Sequence, residues 1–362
     1  MPMGETVAPA IMHAITEVVA HAAARELAVR TRVFVDNVRF LGSQDDVTTA
    51  MQRFQALASE CRIELNSEPG NIAHQVGAFL GMQFDYRDAT VRLGSKAIDK
   101  LQAFRSRICS GDLTMEDFVA GFGVVEYASR ILRIRTSAYH IALKFARRRA
   151  SAMFAGELVP SMQAKLWPCA KRPLLQWIDQ LLANPPTPAG LPSDKQREYV
   201  LATDASLHGW GGILYCDATG EFEEAGGRWG KSHSHTDINH LEAYAVANAW
   251  RAFSRRLAAS TKVLILVDNT SVLHTVRKGR AREAPLNTAV DEVLKTLKGN
   301  VNVSIAHIDT KRNPADAKSR GLPIRHELAS TLGSEGRRLE AKSVRVYAPA
   351  IPKRNQATVS RK

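Results

Sequence analysis

The sequence predicts an α/β protein, and three observations carry that prediction. Beyond a proline-rich break at 184–192 (NPPTPAGLP), short apolar runs alternate with longer stretches of helical spacing. One run, Val263 to Val267 (VLILV), is apolar at every position, as a strand buried on both faces is. Two of the runs end directly in an aspartate, at Asp204 and Asp268. Strands alternating with helices imply a sheet whose two faces are both covered.

Taken in order, Pro9 to Arg30 is alanine-rich with helical spacing, and Arg32 to Leu41 (RVFVDNVRFL) holds two short apolar runs flanking Asp36 and Asn37. Thr48 to Glu60 is again helical, while Gly77 to Asp85 and Ala89 to Leu93 read as strands with turn residues between them. From 96 to 183 the pattern is almost wholly helical, with the apolar residues of Leu113 to Phe145 three and four apart. This stretch holds a basic run. Between Tyr127 and Gly156 there is no acid, whereas Arg130, Arg133, Arg135, Lys144, Arg147, Arg148 and Arg149 are all present. A solvated helix face is one reading; the lack of any compensating acid favours a surface that contacts phosphates.

After the break, Tyr199 to Thr203 reads as a strand ending at Asp204, and Gly209 to Tyr215 as a second strand. Asp237 to Phe253 is a helix, Val263 to Val267 the buried strand, and Ala289 to Lys298 another helix. Val301 to Ile308 is a strand leading into a helix that begins near Asn313. Residues 341–362 contain six Lys or Arg, no acid, and prolines at Pro349 and Pro352, so the end of the chain, assigned as 326–362, reads as a flexible basic tail.

Composition narrows the function classes. The 362 residues are 45% hydrophobic and 23% charged, an ordinary globular balance, and the length suggests two or three domains. No apolar stretch is long enough to span a bilayer, and the N-terminus lacks the pattern of a signal peptide. The four cysteines lie far apart, which excludes a zinc knuckle or a disulfide scaffold and fits a reducing compartment; an intracellular location, cytoplasm or nucleus, is expected. The net charge of +13 favours a polyanionic partner such as nucleic acid.

Four acids stand out beyond the break. Asp204 and Asp268 each follow a strand, at the carboxyl end where α/β sheets place their ligands. Glu242 (HLEAYAV) lies beside the apolar stripe of its helix, and Asp316 (NPAD) falls in the first turn of a helix with Asn313 as N-cap and Pro314 at N1. Singly, each has a structural reading as a cap or a dipole-complementing acid. Together, converging carboxylates repel one another unless a cation neutralises them. All-oxygen ligands select Mg²⁺ or Mn²⁺ over zinc, and two such ions stabilise a phosphodiester displacement. The residues therefore point to metal-dependent phosphodiester hydrolysis, with Asp204, Glu242, Asp268 and Asp316 as metal ligands.

These motifs resemble a known family. TDAS at 203–206, LHGWGG at 207–212, INHLEAYAV at 238–246, VDNTSV at 267–272 and NPADAKSRG at 313–321 are similar to the ribonuclease H domain of retroelement reverse transcriptases. The acids keep that family's order, at separations of 38, 26 and 48 residues, and INxLE with VDNT resembles DIRS-like, VIPER-type elements. Upstream, PMGETVAP at 2–9, FVDN at 34–37, ECRIELN at 60–66, FLGMQFD at 79–85 and the segment 110–129 resemble a reverse-transcriptase template contact, catalytic turn, palm end, primer grip and thumb. The resemblance implies a partial palm at 1–95, a helical thumb or connection at 96–195, and a ribonuclease H-like mixed sheet flanked by helices at 196–325.

It also implies a two-ion nuclease cutting the RNA strand of RNA–DNA hybrids, with template-primer nucleic acid and other parts of a retroelement polyprotein as partners. Ser206 and the backbone near Gly209 are the expected contacts to 2′-hydroxyls, while His307, nine residues before Asp316, is expected to be structural. Two departures matter: the strand with the first polymerase aspartate has no counterpart, and Asn37 stands where the catalytic turn has its second Asp. Asn brings an oxygen but no charge to a metal, so polymerase activity is expected to be lost here. A transposase of DDE type is disfavoured because the Glu comes second among the acids; a non-catalytic nucleic-acid-binding remnant is the alternative.

Overall fold

The computed structural model describes residues 7–65, 75–189, 197–230, 236–257, 262–297 and 302–346. The chain forms two compact units, Met1–Gly94 and Ser95–Lys362.

In the first unit, α1 (Ala8–Ala23) precedes an antiparallel hairpin of β1 (Arg30–Phe34) and β2 (Asn37–Leu41), with Phe34 opposite Asn37. Val35 makes the turn at φ +57°, costly for a β-branched residue, and its N–H donates to His13 Nδ1 at 3.2 Å. Helix α2 (Gln44–Glu60) starts at Ser43, whose side chain accepts the Asp46 N–H at 3.1 Å. An antiparallel meander of β3 (Val76–Phe79), β4 (Met82–Asp85) and β5 (Thr90–Leu93) follows. The Arg39 guanidinium lies 4.0 Å from the centre of the Phe84 ring, tying the hairpin to the meander.

The second unit opens with four helices, α3 (Ser95–Ser110), α4 (Met115–Ile131), α5 (His140–Phe154) and α6 (Pro168–Leu182). Thr114 and Asp117 form a capping box that fixes where α4 begins. Trp177 is the hub of this cluster. Fully buried, it stacks on Tyr139 with ring centres 4.9 Å apart, meets the edge of Phe122, and donates its Nε1–H to Ser129 Oγ at 2.9 Å. A two-residue extended segment, β6 (Thr187–Pro188), follows.

Next come β7 (Tyr199–Ala205), β8 (Gly209–Cys216), β9 (Phe222–Arg228), α7 (Ile238–Ala252), β10 (Val263–Val267), α8 (Thr270–Lys278), α9 (Ala284–Thr296), β11 (Val303–His307), α10 (Ala315–Ser319), α11 (His326–Ser330), α12 (Leu332–Glu340) and β12 (Val344–Arg345). The six strands lie in the order β12-β11-β10-β7-β8-β9. β7, β8 and β9 form an antiparallel meander, β10 and β11 run parallel to β7, and β12 closes the far edge antiparallel. One face is covered by α7, α8 and α9 through Val246, Ala249, Val276 and Val290; the other carries α10, α11 and α12 through Ala315, Ala329 and Leu332. This is the expected α/β fold, a mixed sheet with helices on both faces.

Two expectations are corrected. The edge strand β9 was not foreseen, because FEEAGGR combines two glutamates with two glycines and lacks strand propensity; it forms by pairing along β8. The assignment of 326–362 to a flexible basic tail fails for its first part. Leu332 and Leu339 of α12 are buried on the sheet, and Arg197 binds both Asp217 and Glu340. Residues 347–362 lie outside the described ones.

Two glycines set how closely the helices approach β8. A Cβ on Gly211 would lie 2.6 Å from the Ala315 carbonyl oxygen and 2.7 Å from the Ser319 nitrogen, so α10 rests directly on the strand backbone. On the opposite face a Cβ on Gly212 would lie 2.7 Å from the Ala249 Cβ of α7. Gly211→Ala is therefore expected to destabilise the protein by about 1–3 kcal/mol, because backbone has to move. Gly123→Ala, where α4 leaves open space, is expected to be neutral or stabilising by up to about 1 kcal/mol. Urea melts of both variants check the pair; equal stability would contradict the close approach of α10.

Candidate metal centre

Strand register brings the first two acids together. Thr203 and Val267 are paired across the parallel strands β7 and β10, so the next residues, Asp204 and Asp268, leave adjacent strands side by side. Glu242 comes from α7, whose start is fixed by Asp237 accepting the Asn239 N–H at 2.8 Å. Asp204, Glu242 and Asp268 each offer an oxygen within 4.8 Å of the other two. Asp204 and Glu242 are buried, at 3% and 7% exposure, and Asp268 is half-buried.

Burial dominates the electrostatics. It pushes Asp204 up to about 7, with repulsion from Asp268 and Asp316 adding and a hydrogen bond from Ser319 opposing. Burial also pushes Glu242 up to about 9, reinforced by Asp204 and Asp268 and opposed by the Ala205 N–H. Three converging acids at these depths favour either protons or a cation. Every donor is a carboxylate oxygen, so the set fits a hard divalent ion and not a thiophilic one.

The fourth acid stands differently. Asp316 lies in the first turn of α10, where it acts electrostatically on Asp204 and Glu242, yet its Oδ1 accepts from Arg320 Nε at 3.1 Å and Nη2 at 2.9 Å. The structure thus converges three of the four expected ligands and pairs the fourth with a cation. Asn313 holds α10 in place: its Oδ1 accepts the Ala315 N–H, the expected cap, and its Nδ2 donates to the Thr203 carbonyl at 3.0 Å.

Several contributors escaped the sequence reading. Ser319 donates to Asp204 Oδ2, and Asn269 Nδ2 donates to Asn239 Oδ1 at 3.0 Å, linking the residue after Asp268 to α7. Ser319 and Arg320, three and four residues after Asp316, were detectable as same-face helix neighbours. Ser206 is corrected. Its hydroxyl donates to the Ser319 carbonyl at 2.7 Å and accepts the N–H groups of His208 and Gly209, so it builds the β7–β8 turn and is not poised for a 2′-hydroxyl. His307 ends β11, with Nε2 3.1 Å from the Asp268 carbonyl oxygen.

Asp36 and Asn37 sit at the β1–β2 turn in the other unit, where Asn37 Nδ2 donates to Asp36 Oδ1 at 2.8 Å. Among the described residues, Asp36 belongs to no cluster of three metal-ligating groups. The basic run disperses. Arg130 and Lys144 are exposed, Arg133 turns the chain at φ +51°, and Arg135 Nε pairs with Asp291 at 2.8 Å. Arg148 lies over Trp167, 5.6 Å from the ring centre, and Arg149 over Phe145 at 5.3 Å; Arg147 is half-buried. Among the described residues, no helix is long and apolar enough to cross a membrane.

No protein-family model and no curated protein matches the chain. Among solved structures it is similar to foamy viral protease-reverse transcriptase. Against the complex with an RNA/DNA hybrid the TM-score is 0.39 at 12% identity, covering 86% of this chain and 39% of that one. Against a complex with dsDNA it is 0.36 at 14% identity, covering 86% and 60%. The chain spans less than two thirds of these structures' length.

The acid cluster has a consequence for pH. Asp204 and Glu242 are raised above their unfolded values, so the metal-free folded state binds more protons than the unfolded chain. Their contribution is fully present below about pH 4 and is lost as pH rises through about 7 and 9. In EDTA, Asp204→Asn is expected to melt at a higher temperature than wild type at pH 8, with the gap closing towards pH 4. Differential scanning calorimetry checks it; a variant less stable at pH 8 would contradict the repulsion.

Proposed function

We propose that the protein is a divalent-metal-dependent nuclease that cuts the RNA strand of RNA–DNA hybrids, of ribonuclease H type. The observation supporting this is the convergence of Asp204, Glu242 and Asp268 at the carboxyl ends of adjacent parallel strands. These three would hold Mg²⁺ or Mn²⁺, with Asp316 as a further ligand in exchange for Arg320, and the bound ions would supply charge stabilisation for phosphodiester hydrolysis. The chain's own groups do the positioning: Ser319 orients the Asp204 carboxylate, the Ala205 N–H orients Glu242, and Asn313 pins α10 to β7.

The order of the motifs supports an origin in the reverse-transcriptase and ribonuclease H region of a DIRS-like retrotransposon. In this reading the first unit is a palm remnant that does not polymerise, the partners are hybrid and template-primer nucleic acid together with other parts of the polyprotein, and the protein acts inside the cell. Purified protein with Mg²⁺ or Mn²⁺ is expected to cleave a labelled hybrid. Asp204→Asn and Asp268→Asn are each expected to cleave on the order of a hundredfold more slowly or worse. Undiminished cleavage by either variant would remove the assignment. The same preparation is expected to extend no primer on any template, since Asn37 stands beside Asp36 where the catalytic turn needs a second acid; gel-resolved extension products would overturn that half of the reading.

A further inference from the structure

The six-stranded sheet of the second unit ends at β9, which pairs with β8 on one side. Among the described residues, no strand pairs with its other side. Two hydrogen bonds fix where the backbone groups of β9 point. The Trp229 N–H donates to the His208 carbonyl at 3.2 Å, and the Cys216 N–H to the Glu221 carbonyl at 2.9 Å. Antiparallel ladders alternate, so Glu223, Ala225 and Gly227 turn their N–H and C=O groups towards β8. Phe222, Glu224, Gly226 and Arg228 therefore turn theirs outward. Such a row of donors and acceptors is a template for another strand.

Natural edges are blunted by proline, by bulges or by repelling charge. No proline interrupts Phe222–Arg228, and its register with β8 is continuous. Its two acids are neutralised from within the subunit. Glu223 pairs with Arg256 at 2.9 Å and Glu224 with Lys318 at 3.2 Å, on alternate faces of the strand. The strand is also complementary to itself. Laid antiparallel about Ala225, with outward residues facing outward residues, Glu224 meets Gly226 of a second copy and Arg228 meets Phe222. Between them Glu223 meets Gly227, and Ala225 meets its own equivalent. No like charges stand directly opposite, and Arg228 lies diagonal to Glu224 of the other copy. A register shifted by two residues either sets Glu224 against itself or leaves Phe222 facing beyond the strand.

We propose that β9 is a self-association edge, through which two copies of the chain join antiparallel about a twofold axis at Ala225. The same strand serves both copies, so the contact closes at a dimer. The two sheets become one, with β7 of one copy five strand spacings, about 24 Å, from β7 of the other. Both acid clusters then belong to a single sheet. A contact one strand long is small, so association is reversible and depends on concentration. None of this rests on the nuclease reading.

Sedimentation velocity of the full chain, freed of nucleic acid and held in EDTA with a reductant, tests this across a concentration series. Wild type is expected to pass from monomer to dimer as concentration rises. Arg228→Glu, at an exposed position, sets an acid diagonal to Glu224 across the axis. It is expected to weaken the dimer roughly tenfold, because the change counts twice. Adding Glu224→Arg restores opposite charges on that diagonal and is expected to recover association. Oxidation reads the register separately, with the exposed Cys61, Cys109 and Cys169 changed to Ser. In that background Ala225→Cys, opposite its own equivalent, is expected to give a disulfide-linked dimer, and Glu223→Cys, opposite Gly227, is not. A chain monomeric at every concentration, a dimer that Arg228→Glu leaves unchanged, or equal crosslinking by both cysteines would overturn the proposal.

Discussion

Mutual repulsion among Asp204, Glu242 and Asp268 is the constraint around which the second unit is built. Three carboxylates within 4.8 Å, two of them buried, oppose folding unless protons or a cation accompany them. The surrounding structure holds them there from several directions at once. Parallel register places Asp204 beside Asp268, the α7 cap sets the start of the helix that carries Glu242, and Asn313 ties α10 to the Thr203 carbonyl. Gly211 and Gly212 let helices press onto β8 from both faces. A protein that needed only stability would place apolar groups at these positions.

The fourth acid shows how the centre is tuned. Asp316 contributes to the field at Asp204 and Glu242 but is paired with Arg320, and that pair is about half exposed on the arginine side. An exposed pair of this kind is worth at most about 1 kcal/mol, so a divalent ion can displace it at little cost. The three converging acids are committed to the site, whereas Asp316 is available to it.

Much of this was legible in the sequence, for identifiable reasons. A strand apolar throughout, VLILV, announces its own burial, so the acid that follows it falls at the sheet's carboxyl end. Glu242 was legible from its place beside a core-facing stripe, and Asn313 from the Asn-Pro helix start. What escaped depends on partners distant in sequence or on weak local propensity. FEEAGGR becomes a strand only because β8 offers a free edge. The helix at 332–340 exists because Leu332 and Leu339 find the sheet, and its four charged residues disguise it as tail. Arg135 read as a phosphate contact until Asp291, far along the chain, supplied its carboxylate.

Titration of the metal-free protein with Mn²⁺, following the free-ion signal by electron paramagnetic resonance, tests whether the acid cluster is a divalent-cation site. Wild type is expected to remove Mn²⁺ from solution at neutral to alkaline pH, and Asp268→Asn, which keeps the side chain's shape while removing one charge, to bind it at least tenfold more weakly. Equal Mn²⁺ binding by wild type and Asp268→Asn, or none by wild type, would contradict it.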